Sequence, residues 1–282
     1  MVSHLNKVGV IGAGNFGTTI ATILAGNVSQ VLLYTRRHEG AMEINKTHRH
    51  LGRSIPENVS ATTDIPSFCS QCHLVFPVLP SANFREAIKH FADFLRPYHV
   101  LIHGTKGFDQ LDLDARPSRQ KIRQGDIRTM SPVVQEETQV VRIGAISGPN
   151  LSAEIRKGLP TATVVASDFD EVISLGANVL SSKNFKIYGS HDLLGTEYAG
   201  ALKNMIAIGN GIIHGLKLGK NIEALFLTRG LREMIIIGKA LGAEARTFFG
   251  TAGLGDLIAT ATSEDSRNFS FGWQLAIGKN RE

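Results

Sequence analysis

The chain has 282 residues, 43% of them hydrophobic and 20% charged, the composition of a globular protein with enough core for one large domain or two ordinary ones. Its formal net charge of +5 is spread along the sequence rather than gathered into a stripe, so nucleic acid is not an expected partner and small anionic ligands such as phosphates are. Two cysteines cannot build a disulfide framework, and a reducing compartment is expected.

The N-terminus "MVSHLNKVGVIG" enters a strand within a few residues and carries no charged-then-apolar leader with a small-residue cleavage site. No uninterrupted apolar run approaches ~20 residues, so no membrane span is expected, and a cytoplasmic protein is. Residues 7–11 read as a short buried strand, 15–26 as a helix with Ile20, Ile23 and Leu24 on one face, and 30–35 as a second strand. Between the first two lies "VIGAGNFGTTIA", in which Gly12, Gly14 and Gly17 form a G-x-G-x-x-G pattern. Strand, glycine turn, helix and strand in about 30 residues is the layout of a dinucleotide-binding unit. Gly12 would permit the tight turn, Gly14 the approach of a pyrophosphate, and Gly17 close helix–strand packing. Asn15 and Phe16 would present free N–H groups to the phosphates. A plain glycine-rich turn is the alternative reading.

The second strand, "VLLYTRR", ends in Thr35, Arg36 and Arg37, where an NAD-binding unit usually carries an acid. A carboxylate there accepts from the ribose 2′-OH and repels a 2′-phosphate, whereas a guanidinium binds that phosphate. Arg36 therefore favours NADPH over NADH, and Arg37 can share the task; a solvated surface arginine is the other reading.

Further strands read at 73–81, 98–108, 140–150, 161–167 and 185–190, beside helical stretches at 84–95, 117–137, 151–157 and 170–182. This alternation implies a mainly parallel sheet covered on both faces. Cys69-x-x-Cys72 reads as two packed thiols before a strand, since no second pair completes a metal site. After Ser190 the texture turns helical, over 192–218, 221–241, 254–262 and 266–278. The expected fold class is thus α/β plus all-α, with a Rossmann-like domain over 1–190 and a helical substrate domain over 191–282. Three strand ends, Pro80-Ser81, Thr105-Lys106-Gly107 and Gly148-Pro149-Asn150, should line one crevice with the glycine turn.

In "GTEYAGALKNMIAIGNGI" the polar pair Lys203-Asn204 is embedded among Ala199, Ala201, Leu202, Ile206 and Ile208. Lys203 faces either the surface or a carbonyl substrate, for which a partly buried lysine is a usable general acid. Asp256 and Thr260 are i, i+4 and share a helix face. Arg267-Asn268 opens the next helix after a polar loop, a suitable phosphate clamp. Helix cap and surface ion-pair partner are the plain alternatives for Asp256 and Arg267.

The segments "GAGNFGTTIA", "GTKGFD", "SGPNLSAEI", "GTEYAGALKNMIAIGNGI", "TRGLREM" and "TFFGTAGLGDL" followed by "SRN" lie in order within residues 8 to 278. Together they resemble bacterial-type NAD(P)-dependent glycerol-3-phosphate dehydrogenase. The resemblance implies reduction of dihydroxyacetone phosphate to sn-glycerol 3-phosphate with NADPH or NADH, and a homodimer as the assembly. It implies that Lys203 donates and accepts the proton on the substrate oxygen, and that Lys106 touches both substrate and cofactor. It implies catalytic work for Asp256, and a substrate pocket of Gly148, Asn150, Asn204, Asp256, Thr260, Ser266, Arg267 and Asn268. The phosphate would sit at Arg267-Asn268. Ser152 and Arg267 would touch the cofactor, as would Asn15 and Phe16, which stand where the family usually has a small residue and Trp, and Pro80 and Ser81 at the crevice.

This chain departs from the family pattern at Asn15-Phe16, at "GPNLSAE", and in a longer 109–139 segment with basic residues at 116–128. Typical members run on for several helices past the point where "GKNRE" ends, and a shortened helical domain is the expectation here. The rival readings are a β-hydroxyacid dehydrogenase or ketopantoate-reductase relative, and a catalytically idle NAD(P)-binding protein.

Overall fold

The structure, a computed structural model, describes residues 7–109 and 127–278. The basic positions Arg116, Arg119, Lys121 and Arg123, and the first part of the helix expected over 117–137, lie outside the described residues. The chain runs β1 (Lys7–Ile11), α1 (Asn15–Ala25), β2 (Gln30–Tyr34), α2 (His38–Thr47), a hairpin of β3 (Arg49–His50) and β4 (Arg53–Ser54), β5 (Val59–Thr62), α3 (Ile65–Gln71) and β6 (Leu74–Pro77). It continues through α4 (Phe84–Ala92), β7 (Val100–His103), α5 (Met130–Glu137), β8 (Arg142–Ser147), α6 (Ser152–Arg156), β9 (Thr161–Ser167), α7 (Asp170–Leu180) and β10 (Phe185–Ser190). Five helices follow: α8 (Leu193–Gly215), α9 (Lys220–Ala240), α10 (Ala245–Phe249), α11 (Asp256–Ala261) and α12 (Arg267–Ala276).

One sheet takes the order β10-β9-β8-β7-β6-β1-β2-β5, and every neighbouring pair is parallel except β8 against β9. From β1 the chain builds outward first through β2 and β5, then on the opposite side through β6, β7 and β8. The carboxyl ends of β1 and β6 therefore flank the switch point where an open α/β sheet leaves a crevice. Strands β6 and β7 are buried along their whole length, as strands covered on both faces are. One face packs Val8, Val10, Ile20, Leu24, Leu33 and Phe76; the other packs Ile11, Phe68, Phe84, Ile88 and Leu101. Cys69 and Cys72 belong to that second core, and burial pushes both thiols up to about 12.

The helical half has its own core, around Leu202, Ile206, Met234, Phe248 and Leu257. A seam of Ala145, Val164 and Ala166 from the sheet against Leu193 and Ala252 joins the two. Small residues let α8 lie against its neighbours: a Cβ on Gly211 would stand 2.1 Å from the Phe269 carbonyl oxygen of α12.

Two expectations change. The helix read over 254–262 is a π-turn over Thr251–Gly255 followed by α11 from Asp256, because the glycine-rich "TAGLG" closes tightly on Phe248. The described part of 117–137 is helical only from Met130. Five elements between residues 35 and 73, α2, β3, β4, β5 and α3, escaped the sequence reading. Helix α2 buries only Ala41 and Ile44, and β5 has four residues, so neither carries a usable apolar period.

Candidate active site

The glycine turn is formed by close approaches. Gly12 sits at φ +113, and a Cβ there would lie 2.4 Å from the Val78 carbonyl oxygen at the end of β6. A Cβ on Gly17 would lie 1.9 Å from the Gly12 carbonyl oxygen, so α1 can start this close to β1 only with glycine. Gly14 differs: its Cβ position opens onto free space. No side chain caps α1 and no acid occupies its first turn, so the backbone N–H groups after Gly14 face that space. A concave, positive, backbone-lined cradle is what a dinucleotide pyrophosphate needs, and these residues fit it.

The other strand ends gather around the turn. Phe16 lies beneath Gly104, where a Cβ would come to 3.0 Å of its ring. Thr105 Oγ1 donates to the Leu79 carbonyl at 2.7 Å, tying the ends of β7 and β6. Pro80 and Ser81 open a 3-10 turn, and Gly107 approaches Ser81 Oγ so closely that a Cβ would stand 2.6 Å away. Arg36 and Arg37 are exposed between β2 and α2, with Arg37 as the residue preceding α2.

At the centre is Asp256, whose side chain is 2% exposed. Lys106 Nζ donates to Asp256 Oδ2 at 2.6 Å and to the Gly148 carbonyl at 2.9 Å. Lys203 Nζ donates to Asp256 Oδ1 at 2.8 Å and to Thr260 Oγ1, while Thr260 Oγ1 lies 3.3 Å from the same Oδ1. Ser147 Oγ reaches Oδ2 at 3.5 Å. The one carboxylate thus links β7, β8, α8 and α11. Burial pulls the Lys203 ammonium down from the ordinary lysine value to about 8; the Lys106 charge acts the same way, and Asp256 opposes both. A lysine so tuned is mostly protonated near neutral pH yet able to give up its proton.

Asn150 follows Gly148, and its Nδ2 donates to Thr163 Oγ1 at 2.9 Å while its buried Oδ1 has no protein partner. Ser152 is the first residue of α6 and is half-buried. On the helical side, Asn268 Nδ2 donates to Asn204 Oδ1 at 2.8 Å, joining α12 to the turn of α8 that carries Lys203. Ser266 is buried and caps α12 by accepting from the Phe269 N–H at 3.3 Å; Arg267 is exposed at the start of that helix. The structure therefore gathers Lys106, Gly148, Lys203, Asp256 and Thr260 into one cluster and sets Asn204 and Asn268 side by side. Arg36 and Arg37 stand apart from it, at the end of β2.

Several residues escaped the sequence reading. Glu197, with a 2% exposed side chain, accepts from Thr129 Oγ1 at 2.9 Å and the Ser131 N–H at 2.8 Å, and lies 3.0 Å from His103 Nε2. It locks α8, the end of β7 and the start of α5 together, on the same elements that present Lys203 and Lys106. A lone acid inside the small and apolar "GTEYAGA" was its signal. Arg53 and His50 of the β3–β4 hairpin also reach the glycine turn, through Asn15 Oδ1 at 2.9 Å and the Ala13 carbonyl at 2.9 Å.

Known proteins resemble the chain along both halves. The family described as NAD-dependent glycerol-3-phosphate dehydrogenase N-terminus matches residues 7–173, and its C-terminus counterpart matches residues 192–282. A glycerol-3-phosphate dehydrogenase (NAD(P)+) of Saccharophagus degradans is 38% identical over 285 residues, covering 100% of this chain and 76% of that protein. The enzyme of the same name from Leuconostoc mesenteroides subsp. mesenteroides is 35% identical, covering 98% and 81%. Among solved structures, the glycerol-3-phosphate dehydrogenase of Coxiella burnetii superposes with a TM-score of 0.86 at 31% identity, covering 97% of this chain and 81% of that one.

Proposed function

The chain belongs to the NAD-dependent glycerol-3-phosphate dehydrogenase family, and on that footing we propose how its crevice carries out the reversible reduction of dihydroxyacetone phosphate to sn-glycerol 3-phosphate. The observation that carries the reading is the buried cluster in which Asp256 holds both Lys106 and Lys203 beside the dinucleotide turn. NADH or NADPH, when bound, supplies hydride chemistry at the carbonyl carbon. The backbone N–H groups after Gly14 would hold its pyrophosphate, Arg36 and Arg37 would meet its adenosine ribose, and Phe16, Pro80, Ser81 and Ser152 would help to hold it.

Lys203 gives its proton to the oxygen that gains negative charge as the carbonyl is reduced, and takes it back in the oxidative direction. Two of its N–H donors are engaged by Asp256 and Thr260, which aims the ammonium and leaves a third for the substrate oxygen. Lys106 adds fixed positive charge at the same place; preorganised charge of this kind is usually the largest single term in such a step. Asn204, Arg267 and Asn268, with Ser266 holding the start of α12, receive the substrate phosphate, so remote binding energy positions the reacting end. Gly148 and Asn150 close the other wall.

The finer reading is a NADPH preference set by Arg36, a division into a dinucleotide-binding domain over 1–190 and a substrate domain over 191–282, and a homodimer working in the cytoplasm to supply the glycerophospholipid backbone. Supporting it are the change from sheet to helix between Ser190 and Leu193, the exposed apolar side chains Leu225, Ile236 and Phe249 on the helical half, and the lack, among the described residues, of any helix long and apolar enough to cross a membrane. The test is an absorbance assay at about 340 nm with dihydroxyacetone phosphate and either cofactor. Wild type turns over and Lys203→Ala loses nearly all turnover while still binding NADPH. Near-wild-type turnover in Lys203→Ala overturns the role of the lysine, and cofactor binding without any wild-type turnover points to an idle dinucleotide-binding protein.

A further inference from the structure

Two arginines that the mechanism does not use reach one face of the first two turns of α1. Arg53, on the β3–β4 hairpin, donates Nη1 to Asn15 Oδ1 at 2.9 Å. Arg156, the last residue of α6, donates Nη1 to Thr19 Oγ1 at 3.1 Å, and Thr19 Oγ1 in turn donates to the Asn15 carbonyl at 2.8 Å. Asn15 and Thr19 are i, i+4, so the two guanidiniums arrive from opposite neighbours on a single helical stripe.

The local charge balance is one-sided. The start of α1 carries the positive end of a helix dipole and no acidic residue. Neither guanidinium has a carboxylate within ion-pair reach among the described residues; each is bonded only to a neutral amide or hydroxyl oxygen. Burial first, and then the Arg53 charge, pull the Arg156 guanidinium below its ordinary range, while Asp265 pulls weakly the other way from the loop before α12. Exposed Arg53 and half-buried Arg156 beside a positive helix end make a local surplus of positive potential that favours an anion, and the open space at Gly14 lies at the start of the same helix.

We propose that Arg53 and Arg156 form a second anion clamp on the flank of α1, one that grips the diphosphate common to NADH and NADPH. The proposal rests on the dinucleotide reading of the glycine turn. It divides the labour of cofactor recognition: Arg36 reads the 2′-phosphate and discriminates, whereas Arg53 and Arg156 bind both cofactors without discriminating. The hydrogen bond from Arg53 also turns the Asn15 side chain so that its amide oxygen is occupied, leaving its NH₂ for the ligand.

Equilibrium titration of NADH and of NADPH, followed by fluorescence, tests this without turnover. Arg53→Gln and Arg156→Gln should each weaken both cofactors by roughly tenfold or more, since each removes a charge-assisted hydrogen bond. Adenosine, which has no phosphate, should bind them as it binds wild type. Arg156→Lys, which keeps the charge, should retain part of the affinity, and thermal unfolding of each variant confirms that it folds. Unchanged affinity for NADH in both Gln variants, or a loss confined to NADPH, overturns the clamp while leaving the dinucleotide turn intact. Failure of wild type to bind either cofactor overturns the clamp and the dinucleotide reading together.

Discussion

Lys106 and Lys203 share one carboxylate: Asp256 accepts from the first at 2.6 Å through Oδ2 and from the second at 2.8 Å through Oδ1. Two ammonium groups brought together in a buried site repel, and the anion between them is what makes their proximity tolerable. Asp256→Asn keeps the shape and removes the charge. Turnover should fall by about 10²-fold or more, the range associated with a misplaced proton donor, while NADH affinity stays near wild type. Equal losses of turnover and NADH affinity in a stopped-flow and titration pair would count against a role confined to the lysines.

The pH profile follows from the same cluster. Lys203 is held down to about 8, chiefly by burial, and as the proposed proton donor it must be protonated for reduction. The free-enzyme profile of kcat/KM for reduction should therefore fall as pH rises through about 8, and that for oxidation should rise over the same interval. Asp256 supports the charged lysine, so in Asp256→Asn the falling limb should move to lower pH. Profiles measured in both directions that stay flat between about 7 and 9 would remove Lys203 as the titrating group.

On the proposed reading, Arg36 sets the cofactor choice. Glu at this position would repel a 2′-phosphate and accept from a ribose 2′-OH. Arg36→Glu should weaken NADPH by about tenfold or more, with NADH unchanged or improved. Parallel titrations with the two cofactors measure it, and an equal effect on both would refute the assignment.

The glycine turn makes a paired prediction. Gly17→Ala places a methyl 1.9 Å from the Gly12 carbonyl oxygen, a backbone atom that cannot swing aside. It should cost about 1–3 kcal/mol of stability, seen as a lower thermal midpoint, and abolish cofactor binding. Gly14→Ala meets nothing in the protein and should change stability by less than about 0.5 kcal/mol, yet weaken NADH, because its methyl enters the ligand's space. A Gly14→Ala variant that binds NADH as wild type does would move the pyrophosphate elsewhere.

Much of the molecule was legible in the sequence because its signals are local. Runs such as Val8–Ile11, Leu74–Pro77 and Val100–Ile102 are apolar on both faces, as strands covered on both sides are. Glycines at 12, 14 and 17 announce a turn whose backbone comes close to its neighbours, and their spacing between a strand and a helix is the one expected of a dinucleotide turn. Lys203, polar inside an apolar helix, announces itself by contrast. The helix α2, strand β5 and hairpin β3–β4 did not, because they bury little and their stability comes from what they lean on.

Contacts between residues far apart in the chain were decided only in three dimensions. Lys106 and Asp256 are 150 positions apart, and Thr129 and Glu197 are 68. No period or propensity links such pairs, since hydrogen bonds of this kind exist only after the sheet order and the seam against α8 are formed. The residue types that could hold a dinucleotide and protonate a carbonyl were thus set by the sequence itself. That one buried carboxylate holds both lysines, that burial tunes one of them, and that Arg53 and Arg156 reach the same face of α1 were set by packing, which alone determines distance and dielectric.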